Sequence, residues 1–133
     1  MANIQASAIW LDAERFVGTA TSGHSFVVDG ESKTASGPME LVLIGLCSCT
    51  AVDVVTILRK KREPFTSIEV HADTERSPEP PRVYTKIKLT YRIGGKVARK
   101  AIEDAIALSI EKYCSVEAML KKTAEVTYEI EMV

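Results

Sequence analysis

The run Leu41–Leu58 constrains this chain more than any other stretch. Within "ELVLIGLCSCTAVDVVTILRKKRE", residues 40–63, apolar side chains fall on nearly every side of a helix. Pro38 stands where a helix accepts a first-turn proline and Pro64 bars continuation, which predicts one helix from Pro38 to about Arg62. A helix apolar nearly all round needs other structure to cover both of its sides. The run approaches the length of a membrane span, but Asp53 lies inside it. A carboxylate at that depth costs about 2.5–3.5 kcal/mol on insertion scales. The expectation is therefore a buried central helix and no membrane partner.

The flanking segments supply candidates for the cover. "NIQASAIWL" and "RFVGTATSGHSFVVDG" read as short strands, with Gly23-His24 turning the chain between Arg15–Thr21 and Ser25–Asp29. "TSIEVHADTER" comes after the helix as a strand. In "RVYTKIKLTYRI", alternation puts Val83, Thr85, Ile87, Leu89, Tyr91 and Ile93 on one face and Lys86, Lys88 and Arg92 on the other. "KVARKAIEDAIALSIEKYC" predicts a helix whose packing face carries Ala98, Ala101, Ile102, Ala105, Ile106 and Ser109. A shorter helix, "SVEAMLKKT", and an alternating strand, "EVTYEIEMV", close the chain. Strands and helices in separate blocks predict an α+β fold, a mainly antiparallel sheet wrapped around the central helix. The 133 residues suit a single domain, 1–133, with a core of its own.

A formal net charge of −1 supplies no field that would recruit nucleic acid. "RKKRE", Arg59–Glu63, reads as a solvated helix end that favours the C-terminal dipole. "MANIQASAIW" lacks the basic start and apolar stretch of an export signal, so a cytoplasmic location is expected. Three cysteines, an odd number in such a chain, favour reduced, metal-bound or redox-cycling thiols over a structural disulfide framework.

Successive helical residues turn by about 100°, so Cys47 and Cys49 point about 200° apart. They cannot bridge each other or grip one metal together. Zinc would need paired ligands, whereas Cys114, His24 and His71 are widely separated, and no metal is expected. Cys114 lies at the junction between the last two predicted helices, where unpaired amides and the dipole confer thiolate character. Cys49 is about three turns into its helix among apolar residues, and desolvation raises a thiol pKa. On these grounds Cys114 reads as the more reactive thiol and Cys49 as the more inert. Any one of them alone reads most simply as a small hydrophobe.

"RFVGTATSGHSFVVDG", "GPMELVLIGLCSCTAVDVVTILRKK" and "IEKYCSVEAMLKK" occur in the order and spacing of the OsmC/Ohr family, the osmotically inducible and organic hydroperoxide resistance proteins. The chain resembles that family along essentially its whole length, and within it the YhfA-like branch. Pro38 stands eleven residues before Cys49, which matches the family's proline-to-cysteine interval. The resemblance thus implies that Cys49 is the peroxide-reactive thiol and Cys114 the resolving one. Cys47 falls where relatives often carry a small residue, and packing is its implied role.

That resemblance implies a thiol-dependent peroxidase for organic hydroperoxides, working through a Cys49 sulfenic acid and a Cys49–Cys114 disulfide. It needs no bound cofactor, only an external dithiol reductant. It also implies an intertwined homodimer with two central helices sheathed by sheets. Arg15, at the start of an early strand, sits near the place of the family's thiolate-stabilising arginine, which the resemblance implies as its role; it also reads as an ordinary strand-start surface arginine. The glutamate that holds that arginine in peroxidase members stands directly after the proline, but here that position is Met39 and the acid is Glu40. Glu40 also reads as a helix N-terminal charge, and Asp53, one turn beyond Cys49, as a pocket-lining or structural acid. Glu117 reads as first-turn helix charge, and His24 as a turn residue or a member of the pocket rim. The alternative to the enzyme is a non-catalytic dimeric module that binds an apolar ligand or senses oxidants.

Overall fold

The computed structural model describes residues 3–133. They gather into two compact units, Met1–Leu43 and Ile44–Val133, with the boundary inside the long helix.

The N-terminal unit is an antiparallel meander of β1 (Ala6–Asp12), β2 (Arg15–Ala20) and β3 (Ser25–Asp29). Ala13 turns the first hairpin with a positive φ of 44°, and the indole Nε1 of Trp10 donates to its carbonyl at 2.9 Å. Gly23 turns the second with φ 84°, a conformation that glycine adopts without a steric penalty. β3 ends on Asp29, which is buried. Its carboxylate accepts from the backbone N–H groups of Glu31 at 2.8 Å and Thr34 at 2.9 Å, and from the Thr34 hydroxyl at 2.8 Å. These donors hold its pKa down to about 2 and wind the next loop around it. The loop delivers the chain to α1 (Pro38–Lys60), where Glu40 Oε1 accepts from the Gly37 N–H at 2.9 Å. A carboxylate reaching back to the capping residue satisfies a donor that no helical carbonyl can reach.

Most of α1 belongs to the C-terminal unit. Its residues Leu46, Thr50, Val54 and Leu58 are fully buried at a spacing of four, the stripe that turns toward the core. The sheet runs in the order β4 (Phe65–Arg76), β5 (Tyr84–Gly95), β6 (Glu125–Met132). Ile87, Leu89, Tyr91 and Ile93 point into the core as the alternation predicts. The opposite face is charged, with Lys88 paired to Glu129 at 3.2 Å and Arg92 to Glu69 at 3.6 Å. Between β5 and β6 the chain forms α2 (Arg99–Leu108), a π-helical turn (Ser109–Tyr113) and α3 (Ser115–Leu120). Ile102, Ala105, Ile106 and Ser109 bury the face of α2 and its continuation that their spacing predicts. Glu63, in the basic run after α1, accepts the Ala98 N–H at 2.8 Å and so closes the start of α2.

The fold is α+β, with four corrections to the expected detail. The strands form two three-stranded sheets, not one. β6 lies parallel to β5, because a strand reached through a helical crossover returns in the same direction. At the start of β5, Tyr84 is buried while Val83 and Thr85 are exposed. A register shift opposite Glu75 and Arg76 makes Thr85 the extra residue, which reverses the facing of everything before it. Finally, α1 is covered by its own chain along one stripe only; Ile44 is 52% and Val52 63% exposed. Among the described residues α1 is the one helix long and apolar enough to cross a membrane. Its Leu46–Leu58 stripe instead packs as the core of the C-terminal unit.

Candidate functional site

The C-terminal unit brings two of the three thiols together. Cys49 is half-buried on α1, and its thiol lies close enough to that of Cys114 to raise its pKa. Local geometry delivers Cys114 to that point. Its backbone N–H reaches back five residues to the Ser109 carbonyl at 2.8 Å, closing the π turn. Its backbone then extends (φ −77°, ψ 97°) to cap α3, and its Sγ accepts the Glu117 N–H at 3.4 Å. A π turn adds a residue relative to an α-helical turn and so re-aims the next stretch of chain.

The thiolate character expected of Cys114 is overturned. Burial pushes this thiol up to about 12, and contact with Cys49 and the charge of Glu117 act in the same direction. The N–H of Glu117 opposes them and loses, because a single donor recovers less than full hydration supplied. Cys114 is 3% exposed, so Cys49 is the more accessible of the pair. Cys47 is half-buried on another side of α1, and burial raises its thiol too.

Beside the pair runs a chain of buried hydroxyls that the sequence alone did not reveal. Tyr91 Oη lies 2.7 Å from Thr50 Oγ1, Thr50 Oγ1 lies 2.8 Å from Ser109 Oγ, and Ser109 donates to Asp53 Oδ2 at 2.8 Å. Each hydroxyl has one proton and an ionised carboxylate has none, so the acceptor at the end orients the chain. Tyr91 donates to Thr50, Thr50 to Ser109, and Ser109 to Asp53. The Tyr91 phenol is raised above its ordinary value, first by burial; the charges of Glu117, Cys114 and Cys47 also act on it. Asp53 thus faces a polar seam. It also lines a cavity of 390 Å³ with Thr56, Ile57, Lys60, Lys61, Leu108 and Tyr113.

Glu117 stands in the first turn of α3 as expected, but it is buried. It is 2% exposed, and its Oε2 has no hydrogen-bond partner among the described residues. Burial raises its carboxyl pKa, against a smaller opposing effect of Lys121. Its single sequence signal was its position in the first turn after Cys114, which does not distinguish a solvated acid from a buried one.

The remaining site candidates have local partners in the N-terminal unit. Arg15 is gripped by Asp12, Nε to Oδ1 and Nη2 to Oδ2, both at 2.7 Å. The acid that holds this arginine is therefore neither Glu40 nor position 39. Glu40 caps α1, and the Gly37 N–H lowers its pKa, with help from the Ser32 hydroxyl. His24 is exposed in the β2–β3 turn, with Nδ1 3.0 Å from Ser22 Oγ. Among the described residues, no three His, Cys, Asp or Glu side chains converge in a set able to hold a metal ion.

A mixed α+β unit that presents a thiol on its long helix to a second thiol at a helix start defines a class, and comparison with known proteins names it. The chain belongs to the OsmC-like protein family, whose sequence model matches residues 30–129 and so spans both units. It is 40% identical to Protein YhfA of Escherichia coli K12 over 132 residues, covering 98% of each chain. A hypothetical protein of Aquifex aeolicus VF5 superposes with a TM-score of 0.87 at 32% identity, over 100% of this chain and 99% of that one. An organic hydroperoxide resistance protein, OsmC, of Legionella pneumophila shares the fold with a TM-score of 0.72 at 14% identity, over 98% of both chains.

Proposed function

We propose that this protein is a two-cysteine peroxidase that reduces organic hydroperoxides in the cytoplasm. The observation that carries the reading is the proximity of the Cys49 and Cys114 thiols, one half-buried and the other buried. In this reading the Cys49 thiolate attacks the distal peroxide oxygen. The O–O bond breaks, the alkoxide leaves as an alcohol after taking one proton, and Cys49 becomes a sulfenic acid. Cys114 then displaces hydroxide from that sulfur, releasing water and forming the disulfide. An external dithiol restores both thiols by exchange, and no bound cofactor takes part.

The working unit in this proposal is a homodimer. Support comes from the bare flank of α1 at Ile44 and Val52, and from the exposed Ile9, Trp10 and Phe26 of the N-terminal sheet. Monomers rarely expose apolar patches of that extent without a use for them.

The test is consumption of cumene hydroperoxide with a dithiol reductant. Cys49→Ser is expected to abolish turnover, and Cys114→Ser to leave a Cys49 sulfenic acid that dimedone traps. Undiminished turnover in Cys49→Ser would remove Cys49 as the nucleophile. A second reading, a module that binds an apolar ligand or senses oxidants, draws on the cavity beside Asp53, Ile57, Leu108 and Tyr113. It predicts a ligand retained through purification and negligible peroxide turnover.

A further inference from the structure

We propose that Glu117 is the catalytic proton acceptor for Cys114 at the moment when that thiol attacks a modified Cys49. The assignment builds on the thiol pair above and deepens the peroxidase reading. Four observations point to it. Glu117 lies in the first turn of α3, the helix that Cys114 caps, and its own N–H holds the Cys114 sulfur at 3.4 Å. It is 2% exposed, in a site without bulk water, and Oε2 has no partner among the described residues to satisfy it. Its carboxylate is close enough to act electrostatically on the Cys114 thiol and on the Tyr91 phenol. Cys114 itself is buried as a thiol and must lose a proton to become a nucleophile.

A buried carboxylate oxygen without a hydrogen-bond partner is costly. As a proton acceptor it has a use. When Cys114 attacks Cys49 sulfenic acid, the S–S bond forms as the S–O bond breaks. Glu117 takes the Cys114 proton and returns it to the departing hydroxide, so thiol plus sulfenic acid gives disulfide plus water. General bases of this kind contribute about 10²–10⁴ in rate. The charged and titratable groups that interact with Glu117 are Cys114 at the cap, Lys121 at the C-cap of α3 and Tyr91 on β5. Cys49 and Cys47 on α1 reach it indirectly, through Cys114 and Tyr91 respectively.

The experiment needs no peroxide and so separates this assignment from the peroxidase reading. In the full chain carrying Cys47→Ser, one equivalent of methyl methanethiosulfonate converts Cys49 to its methyl disulfide. Cys114 then closes the Cys49–Cys114 disulfide and expels methanethiol, and mass spectrometry tracks the loss of the methylthio group. Glu117→Gln is expected to slow closure at least roughly tenfold at neutral pH, with Glu117→Asp intermediate. A carboxylate that acted only through its charge would give the opposite sign. Removing a nearby negative charge eases thiol ionisation and would speed closure. Unchanged or faster closure in Glu117→Gln therefore overturns the assignment.

The chain with native Glu117 gives an independent readout. Its closure rate should fall on acidification through an inflection above the usual carboxylate range, and a profile that tracks thiol ionisation alone also overturns it. Slow closure in Glu117→Gln, together with a Cys49 that hydroperoxide leaves unoxidised, would support the proton acceptor and remove the peroxidase. Peroxide oxidation of Cys49 with closure unaffected by the substitution would do the reverse.

Discussion

Among the described residues of the N-terminal unit, no apolar side chain is buried; the buried side chain there is the carboxylate of Asp29. The C-terminal unit does the opposite. Leu46, Leu58, Leu89, Ile102 and Ile106 form a dry core, and Thr50, Ser109 and Glu117 are buried within it. One unit is therefore shaped by turns, a bidentate ion pair and a loop wound on an acid. The other is held by burial of apolar area, which dominates stability, with polar groups inserted only where each finds a partner. Glu117 is the exception, and it sits beside the thiols. The N-terminal sheet thus leaves its apolar side chains exposed, whereas the C-terminal unit holds the thiol pair on a core of its own.

The largest test of this contrast is Leu58→Ala. A fully buried leucine in the stripe of α1 should cost about 2–5 kcal/mol in urea unfolding, since its cavity cannot fill. A cost below about 1 kcal/mol would mean that the core is looser than its burial implies. Next comes Thr50→Val, which keeps the shape but leaves Tyr91 without its acceptor and Ser109 without its donor. About 2 kcal/mol is expected, because the penalty for an orphaned buried hydroxyl exceeds the net gain of a bond.

On the other unit, Trp10→Ser should change chain stability by less than about 0.5 kcal/mol, as exposed positions do. It should instead weaken self-association in sedimentation velocity, and a dimer of unchanged affinity would break the idea that this sheet is covered by a second copy. Asp29→Asn sharpens the polar side of the contrast. The depressed pKa of Asp29 stabilises the fold above its unfolded value of 3.8, and that stabilisation is lost as pH falls through about 2. The variant should lack this acidic limb in thermal unfolding scanned against pH.

The smallest expected effect is in Glu117→Gln. A raised folded pKa favours the fold below the unfolded carboxyl value, and that contribution is lost as pH rises through the raised one. The variant should therefore melt slightly above the parent at neutral pH and lose that advantage in acid. Together with slower disulfide closure, this would be stability gained where chemistry is lost.

Much of the fold was legible in the chain. Pro38 and Pro64 bracket α1, and the alternation from Ile87 to Ile93 marks the inner face of β5, because both signals are local and periodic. The π turn was not legible, since Ser109–Tyr113 continues a helical pattern and only the Cys114 N–H reaching Ser109 reveals the extra residue. The parallel pairing of β6 depends on where the crossover ends, which is not a local property. At the site, Cys49 and Cys114 could be singled out by family spacing, but not their contact. The bidentate grip of Asp12 on Arg15 spans a turn whose Ala13 has an unusual positive φ, and composition gives no sign of it.

By itself the sequence determined most of the elements, the α+β class and the family, and it singled out two thiols. Each of these is written in neighbouring residues or in fixed intervals between them. Tertiary structure alone decided the state of the groups at the site. Whether Cys114 gains or loses thiolate character, and whether Glu117 is solvated or dry, depends on the water removed by segments far along the chain. Desolvation is a property of the packed unit, so the helix-start amides that favour a thiolate were visible in the sequence, and the burial that outweighs them was not.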